Sequence, residues 1–456
     1  MRRHVLVGRF GPDDNIKVPT ATDEVTTQLD LAPSGEDFDY GLGHALDDIK
    51  SLGVYPSEVG FDLLVLASLV HAADTRIARA TESQDSWTRE IRLVVPVSAP
   101  DRWISVEPVI KRMLDFLTGD RWTLGFRSRP SSFTETLPVR SPELNAPSYD
   151  SVSLFSGGLD SLIGAIDLIE NGRSPLFISH AGESATSAAQ STCFDALKDH
   201  YTDRTFARLR VWMSFPADFV KGVGTEDTTR GRSFLFFAIG AFAGSGLNRS
   251  FTLLVPENGL IALNVPLDVL RLGSLSTRTT HPFYMARWNE LLSGLGINGR
   301  VQNPYWDKTK GEMAEGCANA ALLKQLVPAS LSCSSPSKAR WRQGRSVEHC
   351  GYCLPCLIRR AALEHALGQG NDPTPYTVPD LKKRPLNTTQ AEGQQVRSFQ
   401  LAIDRLRKKP DLAKLLIHKP GPLSDETSHL LALADVYLRG MEEVGRLIAG
   451  VKTRPH

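Results

Sequence analysis

The chain has 456 residues, 41% hydrophobic and 23% charged, a globular composition that excludes an extended disordered polymer. Lys and Arg total 52 against 51 Asp and Glu, so a formal net charge of +1 supplies no global basic field, and direct nucleic-acid binding is not expected. The longest apolar run, residues 234–247, is interrupted by glycine and serine and is too short for a membrane span, so no membrane association is expected. Residues 1–14 show neither an apolar core nor a small-residue cleavage site, which predicts a cytoplasmic protein with reduced cysteines.

Residues 1–55 read as irregular and rich in Gly and Asp. Ser57 is a candidate N-cap for a helix over 58–79, with Phe61, Leu64, Val65 and Leu69 at helical spacing. Residues 87–97 alternate as a strand, Pro108 is read as opening a helix that ends near Gly119, and 121–127 read as another strand. Together these predict an N-terminal α+β domain over 1–130. Residues 131–150 are rich in Pro and Ser and read as a linker. Apolar strand candidates then fall at 151–155, 176–179, 208–212 and 251–255, alternating with helical patterns, which predicts a parallel α/β sheet over 151–366. Residues 367–456 read as a C-terminal helical extension, with helical spacing clearest over 426–451.

The joint after the first of these strands carries the chemistry. An apolar strand runs into Ser156-Gly157-Gly158-Leu159-Asp160-Ser161, and a helix follows with Leu162, Ile163, Ile166 and Ile169 on one face. Paired glycines let the backbone turn tightly and present N–H groups, and the helix start adds partial positive charge, so the loop suits an anion such as phosphate. The hydroxyls of Ser156 and Ser161 can donate to phosphate oxygens. Asp160 would repel a bare phosphate, which predicts a bound Mg²⁺ between them. No G-K-[ST] motif occurs in the chain. Residues 294–299 also match G-x-G-x-x-G but follow a helical pattern, and read as a helix end and turn.

Four of the six cysteines lie close together, Cys333 and then Cys350, Cys353 and Cys356 in a C-x-x-C-x-x-C run. Four thiolates at this spacing can close a tetrahedron around a structural zinc, while an iron–sulfur cluster or free thiols remain open alternatives. Cys193 and Cys317 read as isolated small hydrophobes.

Ser156–Ser161 resembles the SGGxDS signature of PP-loop ATP pyrophosphatases, which cleave ATP between the α- and β-phosphates. The later cysteine run makes residues 150–366 resemble the QueC-like branch, the 7-cyano-7-deazaguanine synthases. Gly231-Arg232 before an apolar helix resembles that branch's P-G-R-N loop, with Arg230 and Ser233 departing from it. Lys310-Gly311-Glu312 after Asn303-Pro304 resembles its P…K-x-E segment, and Leu331-Ser332-Cys333 the start of its zinc site. The extra terminal parts, with Pro256-Glu257-Asn258-Gly259 and residues 278–282, are similar to the QueC-like components of Qat anti-phage defence systems.

The resemblance implies a PP-loop (adenine nucleotide alpha hydrolase-like) parallel sheet with a zinc-bound lobe. It implies ATP and Mg²⁺ on Ser156, Gly157, Gly158, Leu159, Asp160, Ser161, Gly231 and Arg232. Asp160 and Lys310 would then be catalytic, Lys310 by neutralising phosphate charge. The implied substrate is a 7-carboxy-7-deazaguanine-like acid, whose ring requires a facing carboxylate, and Glu257 is the candidate. Arg271, Arg278 and His281 are candidates to clamp phosphate or carboxylate. His180, after the second strand, is a further loop candidate. The implied activity is an ATP-dependent carboxylate–amine ligase, with either ammonia or a partner protein of a defence operon supplying the amine. A nucleotide-sensing module without turnover is the reading from another class.

Overall fold

The computed structural model describes residues 2–455 except 84, 139–148, 183, 227, 229, 268–277, 335 and 337–347. Residues 139–148, half of the expected 131–150 linker, and Arg271 lie outside the described residues. In the first 130 residues, β1 (Arg3–Arg9), β2 (Glu24–Asp30), β3 (Glu90–Val97) and β4 (Arg121–Ser128) pair in the order β2-β1-β3-β4. Every pair is parallel, so this part is α/β and not the expected α+β. The stretch expected to be irregular in fact holds β1, β2 and α1 (Leu42–Ser51). Burial of β1 comes from its neighbours on both sides, which its own short sequence does not reveal.

Ser57 caps α2 (Glu58–Arg76) as expected, its hydroxyl accepting from the Gly60 N–H at 3.1 Å. The short α3 (Arg79–Glu82) follows. Helix α4 (Pro100–Thr118) starts earlier than read: Pro100 takes the first-turn position and Pro108 lies inside. Ring and missing N–H at Pro108 deprive the Ile104 carbonyl of its helical donor, and Ile104 is exposed to water there. The helix ends at Gly119, whose φ of 74° is the left-handed conformation glycine tolerates.

The second sheet is parallel throughout. β5 (Ser151–Leu154), β6 (Pro175–Ala181), β7 (Ala207–Trp212), β8 (Phe251–Leu254) and β9 (Gly299–Gln302) lie in the order β7-β6-β5-β8-β9. The chain winds outward from β5 through α5 (Leu159–Glu170), β6 and α6 (Ser184–His200) to β7. Helix α7 (Arg232–Ser245) then returns it to the other side of β5. The order therefore reverses between β5 and β8, and the crevice beyond the carboxyl ends of those strands is where open α/β sheets bind ligands. After β8 come α8 (Gly259–Leu263), α9 (Pro282–Gly294), α10 (Lys310–Glu315) and α11 (Ala320–Leu326). The 294–299 glycines form the expected helix end and turn, with Gly296 at φ 66°.

Helix α2 is buried along nearly its whole length because it covers β3 and also packs on α7, while α4 packs on α9. One apolar core thus runs from Leu6 in the first sheet to Val301 in the second. On the opposite face of the second sheet, Phe155 and Phe177 pack with α5 and α6. A further core joins the cysteine run to the C-terminal helices α12 (Leu354–Leu367), α13 (Ala391–Lys408), α14 (Leu412–Leu416) and α15 (Leu430–Leu447). Among the described residues, no helix is long and apolar enough to cross a membrane.

Candidate functional site

The glycine loop lies at the carboxyl end of β5, beside the crevice. Gly157 sits at φ 79°, and a Cβ there would approach the Gln190 backbone nitrogen to 2.8 Å, so both conformation and space call for glycine. Gly158 precedes the first turn of α5 in extended conformation. The loop is braced from within: the Ser156 and Ser161 hydroxyls lie 3.1 Å apart, and Ser161 donates to the Gly158 carbonyl at 3.0 Å. From outside, Leu331 N–H donates to the Gly157 carbonyl at 2.8 Å, and the Ser332 hydroxyl accepts from Leu159 N–H at 3.3 Å. The residues just before Cys333 therefore form one wall of the loop.

Asp160 is buried, and its two oxygens have separate partners. One faces the Lys310 ammonium at 3.0 Å; the other accepts from the Asn258 amide at 2.8 Å and its backbone N–H at 3.2 Å. Lys310 opens α10, and Asn258 caps α8 with its side-chain oxygen on Ile261 N–H at 3.1 Å. The carboxylate from β5–α5, the amide from β8–α8 and the ammonium from α10 thus meet across the switch point.

Glu257 stands next to Asn258. Its backbone is clasped by Asn303, which accepts from Glu257 N–H at 3.3 Å and donates to the Glu257 carbonyl at 2.7 Å. The Thr280 hydroxyl donates to its carboxylate. Protein closes around the carboxyl although some solvent contact remains, and this desolvation pushes it up to about 7. Lesser influences are the Thr280 hydrogen bond and Lys310, which lower it, and the Asp160 charge, which raises it.

Gly231 and Arg232 lie at the start of α7. Gly231 N–H donates to Asp74 of α2 at 2.7 Å. Asp74 belongs to a buried network in which Arg89 reaches Asp74 at 3.1 Å and Asp120 at 2.6 Å, and Arg79 reaches Asp120 at 2.6 Å. The guanidinium of Arg232 approaches His180 at the end of β6, within 3.4 Å of its ring nitrogen and its carbonyl. His180 packs edge-to-face on His71 of α2 at 5.4 Å, and burial lowers His180 to about 2 and His71 to about 4, so both are neutral.

The other two substrate candidates have structural partners. Arg278 donates to the Phe116 carbonyl at 2.7 Å and stacks 4.7 Å from the Phe116 ring centroid. His281 is fully buried and caps α9, its Nδ1 accepting from Phe283 N–H at 3.2 Å. Asn258, Thr280, Asn303, Gln190 and Ser332 join the site without having been picked out as site residues. Asn258 was within reach of sequence reasoning, because an Asn before Gly-Leu-Ile is a helix-cap signal.

The four cysteines converge, with all four Sγ atoms within 4.8 Å of one another. Cys333 and Cys353 sulfurs are 3.9 Å apart and those of Cys350 and Cys356 3.8 Å. Four thiolates about 2.3 Å from one tetrahedral ion stand about 3.8 Å apart, so the cluster is compatible with zinc. Sulfurs bound to separate irons of a cubane would stand further apart. Cys350 N–H points to Cys333 Sγ at 3.5 Å and Cys353 N–H to Cys350 Sγ at 3.3 Å, an arrangement that steadies thiolates. Four protein ligands leave no open position, so such an ion would be structural. The fully buried Arg359 of α12 ties this lobe to the loop wall through Ser330 at 2.9 Å and the Val327 carbonyl at 2.7 Å.

The sequence matches no family model, and no curated protein matches it.

Proposed function

We propose that this chain is a QueC-like, PP-loop-type ATP-dependent carboxylate–amine ligase of anti-phage defence. The observation that carries the reading is the meeting of the Ser156–Ser161 loop, Asp160, Lys310 and Asn258 at the switch point of a parallel sheet. Such a place offers backbone donors and a helix start for phosphates, an ammonium for developing charge and a carboxylate for a cation.

In this reading the phosphates of ATP lie on residues 156–161, with Arg232 beside them. Magnesium bound with the nucleotide would be held by the Asp160 carboxylate, an oxygen ligand of the kind it takes, and would neutralise phosphate charge. A carboxylate oxygen of the 7-deazaguanine acid attacks the α-phosphorus. The bond from that phosphorus to the bridging oxygen breaks, and pyrophosphate leaves. An amine then attacks the acyl carbon, AMP departs, and the amine proton passes to water. Glu257 accepts N–H groups of the deazaguanine ring. The four cysteines hold zinc in a structural role. The amine belongs to a partner protein, a reading supported by the similarity of the terminal parts to the QueC-like components of Qat defence systems.

The test is AMP and pyrophosphate release by the full chain with ATP, Mg²⁺ and 7-carboxy-7-deazaguanine. Intact-mass analysis of a candidate partner follows. Release with a mass increase on the partner supports the proposal. Release with ammonia alone and formation of free nitrile returns the chain to ordinary deazaguanine synthesis. ATP binding without release leaves a nucleotide-sensing module.

A further inference from the structure

The C-terminal helix α15 lies outside the stretch that resembles QueC-like proteins, yet it grips the segment that carries Lys310. Glu443 on α15 is only 5% exposed. One of its carboxylate oxygens accepts the Thr309 hydroxyl, and the other accepts Gly311 N–H at 3.3 Å. It therefore brackets Lys310 on both sides. One turn earlier on the same face, Arg439 holds Glu312 at 2.7 Å and the Asp307 carbonyl at 2.8 Å. Thr309 is the N-cap of α10, in a reciprocal box with Glu312. Its hydroxyl accepts from Glu312 N–H at 3.1 Å, so its proton has to go elsewhere, and Glu443 takes it.

Gly311 fits the same logic, because a Cβ there would lie 2.5 Å from the Glu443 carboxylate. Burying a carboxylate is expensive unless its oxygens are satisfied. Here they are satisfied by the two residues adjoining the lysine whose ammonium meets Asp160, with the His365 ring 3.8 Å away. We infer that Glu443 is a positioning residue: it fixes the start of α10 so that the Lys310 ammonium reaches the Asp160 carboxylate and the phosphate site. The C-terminal extension is then a component of that site. The inference rests on the proposed role of Lys310 for its catalytic consequence, while the positioning itself is measurable without turnover.

The experiment uses the full chain and two readouts. The first is the rate at which Lys310 is acylated by a lysine-directed reagent, followed by peptide mass spectrometry. The second is pyrophosphate release. Glu443→Ala, Glu443→Gln and Gly311→Ala are compared with the wild type well below their melting temperatures. Loss of the bracket frees Lys310 and should raise its labelling about 10-fold, with control lysines such as Lys383 unchanged. Displacement of a charge-neutralising group by about 1 Å lowers kcat about 10²-fold, with the KM for ATP changing less. Glu443→Gln keeps an acceptor for Thr309 and loses the one for Gly311, so it should fall between wild type and Glu443→Ala. Should Glu443→Ala not fold, Glu443→Gln and Gly311→Ala carry the test. Lys310 labelling at the wild-type rate in those two folded variants overturns the inference. A wild type that releases no pyrophosphate overturns the proposed function, and the labelling result still decides the positioning.

Discussion

Asp160 shows how burial changes the right experiment on a single residue. Asp160→Ala would leave the buried Lys310 ammonium without its partner, and breaking such a pair costs about 3–5 kcal/mol, enough to confuse a loss of activity with a loss of fold. Asp160→Asn keeps the shape and an acceptor for Asn258. Its melting temperature should fall less than that of Asp160→Ala, because one oxygen remains to accept, while pyrophosphate release measured below both melting temperatures falls about 10²-fold or more. Near-normal turnover in that variant would remove Asp160 from the phosphate site. Glu257 makes a prediction in pH. Its carboxyl titrates near 7 in the folded protein because of desolvation, against about 4.3 when unfolded. Between those values the folded state binds the extra proton, so its ionisation erodes stability as pH rises through that window, and the loss is complete above it. Glu257→Gln has no such ionisation. Its stability relative to the wild type should therefore rise from pH 5 to pH 8, by on the order of 1–3 kcal/mol. A pH-independent difference in denaturant midpoints would show that the Glu257 carboxyl is not desolvated.

At the scale of elements, what could be read from the sequence is what is local in it. The strand, glycine loop and helix of 151–170 are contiguous, and their spacing alone signals the turn and the cradle. The same holds for Cys350, Cys353 and Cys356, which occupy one turn and the start of α12. The rest of the site is assembled from distant elements. Thr280 and Asn303 meet Glu257 only because α9 and β9 fold back beside β8. Glu443 and Arg439 lie four residues apart on one helix, and only the fold brings each of them to α10. The Val5-Leu6-Val7 run of β1 is too short to mark a strand by itself until β2 and β3 pair with it on either side. The cysteine lobe links the two kinds of information, since its first ligand adjoins the wall of the glycine loop. Cys353→Ser should lower the melting temperature sharply and reduce bound zinc below the expected one per chain. Through Leu331 and Ser332 it should also weaken ATP binding, and chelation of the wild type should do the same. Metal-depleted protein that binds ATP with unchanged affinity would uncouple lobe from loop, and iron in place of zinc would correct the metal.

At the scale of the whole molecule, the first 130 residues are tied into the second sheet rather than appended to it. Helix α7 turns Phe234, Leu235, Phe237, Ile239 and Phe242 into buried surroundings, and α2 packs along it, with Gly60 against Ser245 at one end and Asp74 holding Gly231 at the other. Each large side chain returned to water costs about 1.5–3 kcal/mol, so even two or three of them use up much of the 5–15 kcal/mol that holds a typical domain together. Polar ties add direction to this packing. Arg76 donates to the Phe215 carbonyl at 3.0 Å, Arg79 N–H to Glu226 at 2.7 Å and Gly231 N–H to Asp74 at 2.7 Å. The long connection from β7 to α7 is thereby strapped along α2 up to the residue before Arg232. Two roles for this part lead to opposite results on truncation. A separable platform for a partner protein would leave a soluble 149–456 fragment that still releases pyrophosphate. A structural half of the site would leave a fragment that aggregates or unfolds without a cooperative transition, and the packing of α2 on α7 leads us to expect this second result. Soluble yield, a thermal melt and pyrophosphate release of the fragment decide between them. If the fragment does fail to fold, the amine acceptor has to be sought with the full chain, using substitutions at exposed positions of the edge strands of the first sheet, such as Thr26 and Thr123, that leave α2 untouched.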